Sequence, residues 1–257
     1  MTGVFNDSYA ATYDTVYAEK NYAAECGAMG KLIAKFGRGE LRKMLDLGCG
    51  TGRHAVIFAG RGFDVTGVDQ SEPMVARARE RAAQQKVDAN LEFLSGDIRS
   101  FSHGSAFDVA LMNFNVIGYM TSNDDALSAL GAARKNLRAD GLFIADFWYG
   151  PAVDVDPPGE NTREFEAEGL RVVRSSSGLH LPDQQCCEIS LKVARLQGDR
   201  VVDEALETHR VRYFFPLELE LMLRISGFRL LAMTGFPDID APASAHKWAA
   251  AVVAVAV

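Results

Sequence analysis

Hydrophobic positions along this chain follow two periods that take turns. Short apolar runs, fit for buried strands, are separated by longer stretches in which apolar residues recur every three or four positions. Between residues 43 and 147 the exchange is regular. Met44, Leu45 and Leu47 make a short strand that runs into a glycine loop, and residues 54–61 read as a helix. Residues 63–68 are strand-like and end at Asp69. Residues 72–84 are helical, with Pro73 in the first turn, where proline is tolerated. A third strand, 91–94, stops short of Asp97, a fourth covers 107–112, and a helix covers 124–137. Asp140-Gly141 then turns into a fifth strand over 142–147. Strands alternating with helices predict an α/β fold whose doubly wound, mostly parallel sheet is covered on both faces.

The flanks differ. Residues 9–36 read as helical, and Tyr9, Tyr13 and Tyr17, four apart, share one helical face. Core packing would produce the same stripe. Residues 151–161, rich in Pro, Asp and Gly, read as a loop. Beyond them Cys187, Ile189, Leu191 and Val193 alternate with Glu188, Ser190 and Lys192, the period of a half-buried strand. The segment Gln197-Gly198-Asp199-Arg200 turns into a partner strand through Val211 and Tyr213. Residues 160–214 are therefore expected to form an antiparallel insertion after the fifth strand, laid over the core. Its face bearing Ile189, Leu191 and Val193 offers a homodimer contact. Residues 216–226 read as a helix stopped by Gly227, followed by strands over 228–233 and 248–257.

Composition narrows the possibilities. A chain of 257 residues fits one large α/β domain with an insertion. A formal charge of −7, with no Lys/Arg-rich run, disfavours a nucleic-acid partner. The four cysteines lack metal-ligand spacing and read as packed thiols of a cytoplasmic protein. The first six residues carry no signal pattern, and the apolar tail 249–257 is far shorter than the roughly 20 residues a bilayer needs, so no membrane partner is expected. Histidines are few: His54 reads as a partly exposed helix residue, His209 and His246 fall in strand regions, and His103 and His180 in loops. No metal site is expected from them.

The chemistry lies in Asp46-Leu47-Gly48-Cys49-Gly50-Thr51-Gly52. A strand turning sharply into a helix leaves unpaired N–H groups, and glycines let a ligand touch the main chain. The dinucleotide fingerprint would need its third glycine at position 53, and a P-loop would need Gly-Lys-Ser/Thr, whereas Gly52 is followed by Arg53-His54. What remains resembles the first motif of class I S-adenosylmethionine-dependent methyltransferases. The resemblance implies a seven-stranded Rossmann-like sheet and S-adenosylmethionine as cofactor. Asp46, Gly48, Cys49, Gly50 and Gly52 would cradle it, and Asp69, with Gln70 beside it, would chelate the ribose hydroxyls. Asp97 and Ile98 would flank the adenine, Met74 would cover it, and Asn113 would lie beside the methyl donor.

Beyond that motif, the chain is similar to the small amino-sugar N,N-dimethyltransferases of antibiotic biosynthesis. Tyr13-Asp14-Thr15-Val16-Tyr17, Asn21-Tyr22-Ala23-Ala24-Glu25, the run from Met112 to Tyr119 and Asp146-Phe147-Trp148-Tyr149 carry that likeness. It implies that Tyr17 and Tyr119 face the acceptor amine as catalytic residues, and that Tyr22 approaches the methionine end of the cofactor. Tyr13, Trp148 and Tyr149 would bind the substrate. The organisation so implied is a helical lid (1–40), a cofactor-binding core (41–150), an insertion over the active site (151–214) and a return to the core (215–257). The expected activity is methyl transfer to the amine of a small-molecule acceptor, with a nucleotide-linked amino sugar as candidate. A small-molecule O-methyltransferase and a non-catalytic S-adenosylmethionine-binding protein remain open alternatives. The chain has neither the Asn/Asp-Pro-Pro-Tyr/Phe run of DNA amino-methyltransferases nor the Pro-Cys pair of carbon-5 pyrimidine enzymes.

Overall fold

The computed structural model describes residues 13–14, 16–17, 20–104, 106–167 and 169–257. Tyr9 lies outside them. Tyr17 N donates to the Tyr13 carbonyl at 3.0 Å, a helical hydrogen bond. Helix α1 (Tyr22–Phe36) then starts afresh, because the Asn21 side chain caps it by accepting from Ala24 N at 2.9 Å. The tyrosines of 13–17 and Tyr22 are thus on separate pieces, where the sequence predicts one helix.

From β1 (Lys43–Leu47) the chain proceeds through α2 (Arg53–Ala59), β2 (Asp64–Asp69), α3 (Glu72–Gln85), β3 (Leu91–Ser95), β4 (Phe107–Met112), α4 (Asn123–Asn136) and β5 (Leu137–Trp148). Serine side chains cap α3 and α4, Ser71 accepting from Met74 N and Ser122 from Asp125 N. Strand β5 begins five residues before its predicted start. Asp140, at φ +59°, is absorbed as an irregularity in the pairing with β4 rather than ending the strand.

Residues 151–161, expected as a loop, begin as a short helix, α5 (Gly150–Val155). Pro151 sits in its first turn, and Ala152 and Val153 are buried, which stabilises a helix that composition alone does not signal. Strands β6 (Asn161–Ala167), β7 (Leu170–Leu181), β8 (Cys186–Gln197) and β9 (Arg200–Arg212) form a separate antiparallel sheet in that order. The face bearing Leu191 and Val193 packs inward on Met74, Tyr13 and Val16, so it is covered within the chain and does not present the expected dimer contact. Helix α6 (Pro216–Ile225), β10 (Phe228–Gly235) and β11 (Ala249–Ala256) complete the fold.

The main sheet has seven strands in the order β10-β11-β5-β4-β1-β2-β3. β1 to β5 pair in parallel, and β11 runs antiparallel between β5 and β10. Both faces are buried, and strand periodicity assigns each residue to a face. Leu45, Leu47, Ala110, Met112, Phe143 and Phe147 pack with α4 and α6 on one side. Met44, Val109, Leu111, Leu142 and Ile144 pack with α1, α2 and α3 on the other. No helix among the described residues is long and apolar enough to cross a membrane.

Candidate active site

The carboxyl ends of β1 to β5 open into a cavity of about 650 Å³, in the range usual for small-molecule sites. Gly48, Gly50 and Gly52 hold φ of +74°, +53° and +75°, and the three turns bend the chain from β1 into α2. They differ in surroundings. A Cβ on Gly48 would meet Val116 at 2.6 Å, and one on Gly52 would meet Phe93 at 2.6 Å and Ala78 at 2.9 Å. At Gly50 a Cβ would meet nothing within 4 Å, and Gly50 lines the cavity. That backbone face is open to a ligand.

Asp69, at the end of β2, accepts from Gly50 N and Ser71 N, both at 2.9 Å, one on each carboxylate oxygen. Burial raises its pKa and the backbone donors pull it back. Each oxygen keeps a lone pair for a further donor. Gln70, Met74 and Ile98 also line the cavity, and Met74 is fully buried in its wall. Asp97 lines it too, but Arg99 clasps both its oxygens at 2.6–3.0 Å and also reaches Asp125. That clasp holds the Asp97 carboxyl below its ordinary pKa.

Asp46 and Gly52 stand behind the cavity wall rather than in it. Asp46 Oδ1 accepts from Asn113 Nδ2 at 3.1 Å, while Asp46 Oδ2 and Asn113 Oδ1 are buried without a hydrogen-bond partner. Burial pushes the Asp46 carboxyl up to about 6. Cys49 lines the cavity, and burial raises its thiol well above the usual value.

The turn after β4 is strained. Phe114 and Asn115 hold φ of +63° and +55°, a conformation that costs about 1 kcal/mol or more per non-glycine residue. The buried Asp146 carboxylate compensates by accepting both their N–H groups. The turn delivers Val116, Tyr119 and Met120 to the cavity. Tyr13 and Tyr17 enter from the N-terminal segment, with ring centroids 4.7 Å apart, and Tyr17 meets the Phe114 ring edge-on at 5.1 Å. Asp14 fastens this segment by pairing with Thr51 Oγ1 and Arg53 Nε, each at 2.9 Å, and with Arg81. Tyr22 lines the cavity beside His54.

The predicted residues Tyr13, Tyr17, Tyr22, Cys49, Asp69, Gln70, Met74, Asp97, Ile98, Asn113, Tyr119 and Trp148 thus surround one cavity, together with Gly48 and Gly50. Tyr149 does not. It follows Trp148 on the opposite face and packs against Phe147 at the start of α5. His54, read as partly exposed, is buried, and its Nε2 meets Glu25 Oε2 at 2.8 Å. Several lining residues carry no signal in the sequence. Arg174, Thr208, His209 and Arg210 come from the insertion, where strand alternation alone does not distinguish a cavity face from a solvent face. Among the described residues no cluster of His, Cys, Asp or Glu is placed to hold a metal ion.

The methyltransferase domain family matches residues 44–141. A dTDP-3-amino-3,4,6-trideoxy-alpha-D-glucopyranose N,N-dimethyltransferase of Streptomyces venezuelae is 26% identical, the match spanning 91% of this chain and 96% of that protein. An S-adenosylmethionine-dependent methyltransferase from Clostridium acetobutylicum shares the fold, with a TM-score of 0.82 at 17% identity over 96% of this chain and 97% of that one. An amino pentose methyltransferase from Micromonospora echinaspora, solved with S-adenosylmethionine bound, shares it with a TM-score of 0.78 at 20% identity over both full chains. With a glycine-lined cavity at the strand ends and these relatives, the chain is a class I S-adenosylmethionine-dependent methyltransferase that resembles the amino-sugar N,N-dimethyltransferases.

Proposed function

We propose that this enzyme methylates the amine nitrogen of a nucleotide-linked amino sugar. The observation that carries this reading is Arg174. Its Nε is buried without a hydrogen-bond partner, it lines the cavity, and its guanidinium lies 5.6 Å from the Tyr17 ring. A donor so placed suits an anionic group such as a sugar-linked diphosphate, while Tyr13, Tyr17, Tyr119 and Trp148 offer rings to a sugar. The match to the Streptomyces venezuelae enzyme also extends well beyond the methyltransferase domain.

The cofactor fits the residues present. The open backbone at Gly50 leaves room for it, the spare lone pairs of Asp69 suit a vicinal diol, and Met74 with Ile98 supplies an apolar slot for an adenine. Asp97 would accept from the adenine amine, and the unpartnered acceptor of Asn113 suits an ammonium group, with the Asp46 charge behind it. Gly48, Cys49, Gly52, Gln70 and Tyr22 complete the holding set. S-adenosylmethionine supplies an electrophilic methyl on a sulfonium. The chain's part is alignment: Tyr17 and Tyr119 accept the N–H hydrogens of the acceptor and aim its lone pair, and the aromatic wall keeps water out. The segments divide the work as a lid (1–40), a cofactor core (41–150), an acceptor cover (151–214) and a return to the core (215–257).

Incubating the enzyme with S-adenosylmethionine and dTDP-3-amino-3,4,6-trideoxyglucose, or with its 3-hydroxy counterpart, tests the acceptor. Mass spectrometry is expected to find one or two methyl groups on the amine and none on the hydroxyl. Methylation of the hydroxyl compound alone would establish O-methyl transfer instead, and turnover of neither would refute the sugar.

A further inference from the structure

Behind Tyr119 lies a polar pair that the alignment of the cofactor does not require. Tyr119 closes the turn after β4, and its hydroxyl stands 3.2 Å from His209 Nδ1 on β9. The other imidazole nitrogen, Nε2, lies 3.2 Å from Glu207 Oε2, an ion-pair approach rather than an aligned hydrogen bond. Glu207 and His209, two apart on one strand, share its inward face with Ala205 and Val211, and both are buried. A carboxylate and an imidazole placed under a cavity are costly to bury unless they pair, and here they pair in series with a tyrosine that lines the cavity.

We propose that Glu207 and His209 are positioning residues that turn Tyr119 into an acceptor-only group toward the methyl acceptor. An ionised carboxylate can only accept, so the nitrogen beside it carries the hydrogen. A neutral imidazole holds one N–H, and with that hydrogen on Nε2 the Nδ1 atom must accept from the Tyr119 hydroxyl. The oxygen then offers only lone pairs to the cavity. This matters because a phenol is both donor and acceptor. Donation to an amine nitrogen would occupy the lone pair that attacks the methyl group, whereas acceptance from its N–H leaves that pair free. The carboxylate fixes the tautomer of the imidazole as in other carboxylate–histidine–hydroxyl series, but the hydroxyl here orients rather than attacks. The inference rests on the reading above that Tyr119 faces the acceptor.

Two readouts test it. Long-range proton–nitrogen spectra of the enzyme labelled with nitrogen-15 histidine, saturated with S-adenosylhomocysteine, are expected to show His209 with its hydrogen on Nε2. His209→Asn identifies the signal. A hydrogen on Nδ1 would overturn the proposal whatever the rates of the variants show. Single-turnover rates with dTDP-3-amino-3,4,6-trideoxyglucose give the second readout. Glu207→Gln and His209→Leu are expected to slow transfer about 10- to 100-fold, the range for a misplaced catalytic group, with unchanged affinity for S-adenosylhomocysteine. His209→Asn, which keeps an acceptor near the Nδ1 position, is expected to recover much of the loss. In a Tyr119→Phe background the same changes are expected to add nothing further. Wild-type rates in Glu207→Gln and His209→Leu, or losses that add in full to that of Tyr119→Phe, would contradict it. If the wild-type enzyme leaves this sugar unmethylated, the acceptor reading fails, and the histidine spectrum still decides the direction of the Tyr119 hydrogen bond.

Discussion

Asp46 shows what burying a single carboxyl costs the fold. It is buried and its Oδ2 lacks a partner, which raises its pKa from 3.8 to about 6. The native state therefore holds this proton more tightly than the unfolded chain does. Its contribution to stability falls as pH rises through that window, and the whole cost of the buried charge is present above about pH 6. Asp46→Asn is expected to stabilise the cofactor-free protein above pH 6 by on the order of 1–3 kcal/mol, because asparagine leaves no charge to bury there. The advantage closes as pH falls from about 6 toward 4. Thermal melting of both proteins across pH 4–8 measures it, and a difference that ignores pH would show that the fold does not raise the Asp46 pKa. The importance of Asp46 is readable in the sequence from its place before the glycines. Its isolation from the cavity is not, because that depends on Asn113, 67 positions away.

The glycine loop separates two roles that its spacing alone cannot. Gly52→Ala forces a Cβ against Phe93 and Ala78 at positive φ, and is expected to cost about 2–4 kcal/mol of stability from strain and overpacking together. Gly50→Ala keeps the strain but meets no neighbour, so a loss near 1 kcal/mol is expected. Its methyl group would instead enter the space open to the cofactor and weaken S-adenosylhomocysteine binding at least 10-fold, roughly 1.4 kcal/mol or more. Denaturant unfolding and calorimetric titration of both variants check the contrast, and equal losses of stability would contradict it. The elements of the parallel sheet were readable because each carries a full turn of helix or a run of buried strand with its own caps. Helix α5 was not, since six residues with Pro151 and Asp154 hold little periodicity. The inward Glu207 and His209 of β9 were likewise hidden, because polar residues at alternate positions look like a solvent face until another element covers them.

At the scale of the whole molecule, the sheet order and the cavity at its carboxyl edge follow from right-handed crossovers between parallel strands. The antiparallel sheet of β6 to β9 adds Arg174, Ile189, Leu191 and residues 208–211 to the lining of that cavity. A chain of net charge −7 thus keeps Arg53, Arg99, Arg174 and Arg210 around its site, which favours a small anionic ligand over a long polyanion. The central claim is the cofactor, and isothermal titration tests it most directly. S-adenosylhomocysteine is expected to bind the wild-type enzyme at one site per chain, while NAD gives no heat. Asp69→Asn, which keeps one acceptor for the loop N–H groups, is expected to weaken that binding by about 1.5–3 kcal/mol, the range for a hydrogen bond to a charged group. Binding of NAD without heat from S-adenosylhomocysteine, or an unchanged dissociation constant in Asp69→Asn, would contradict the account.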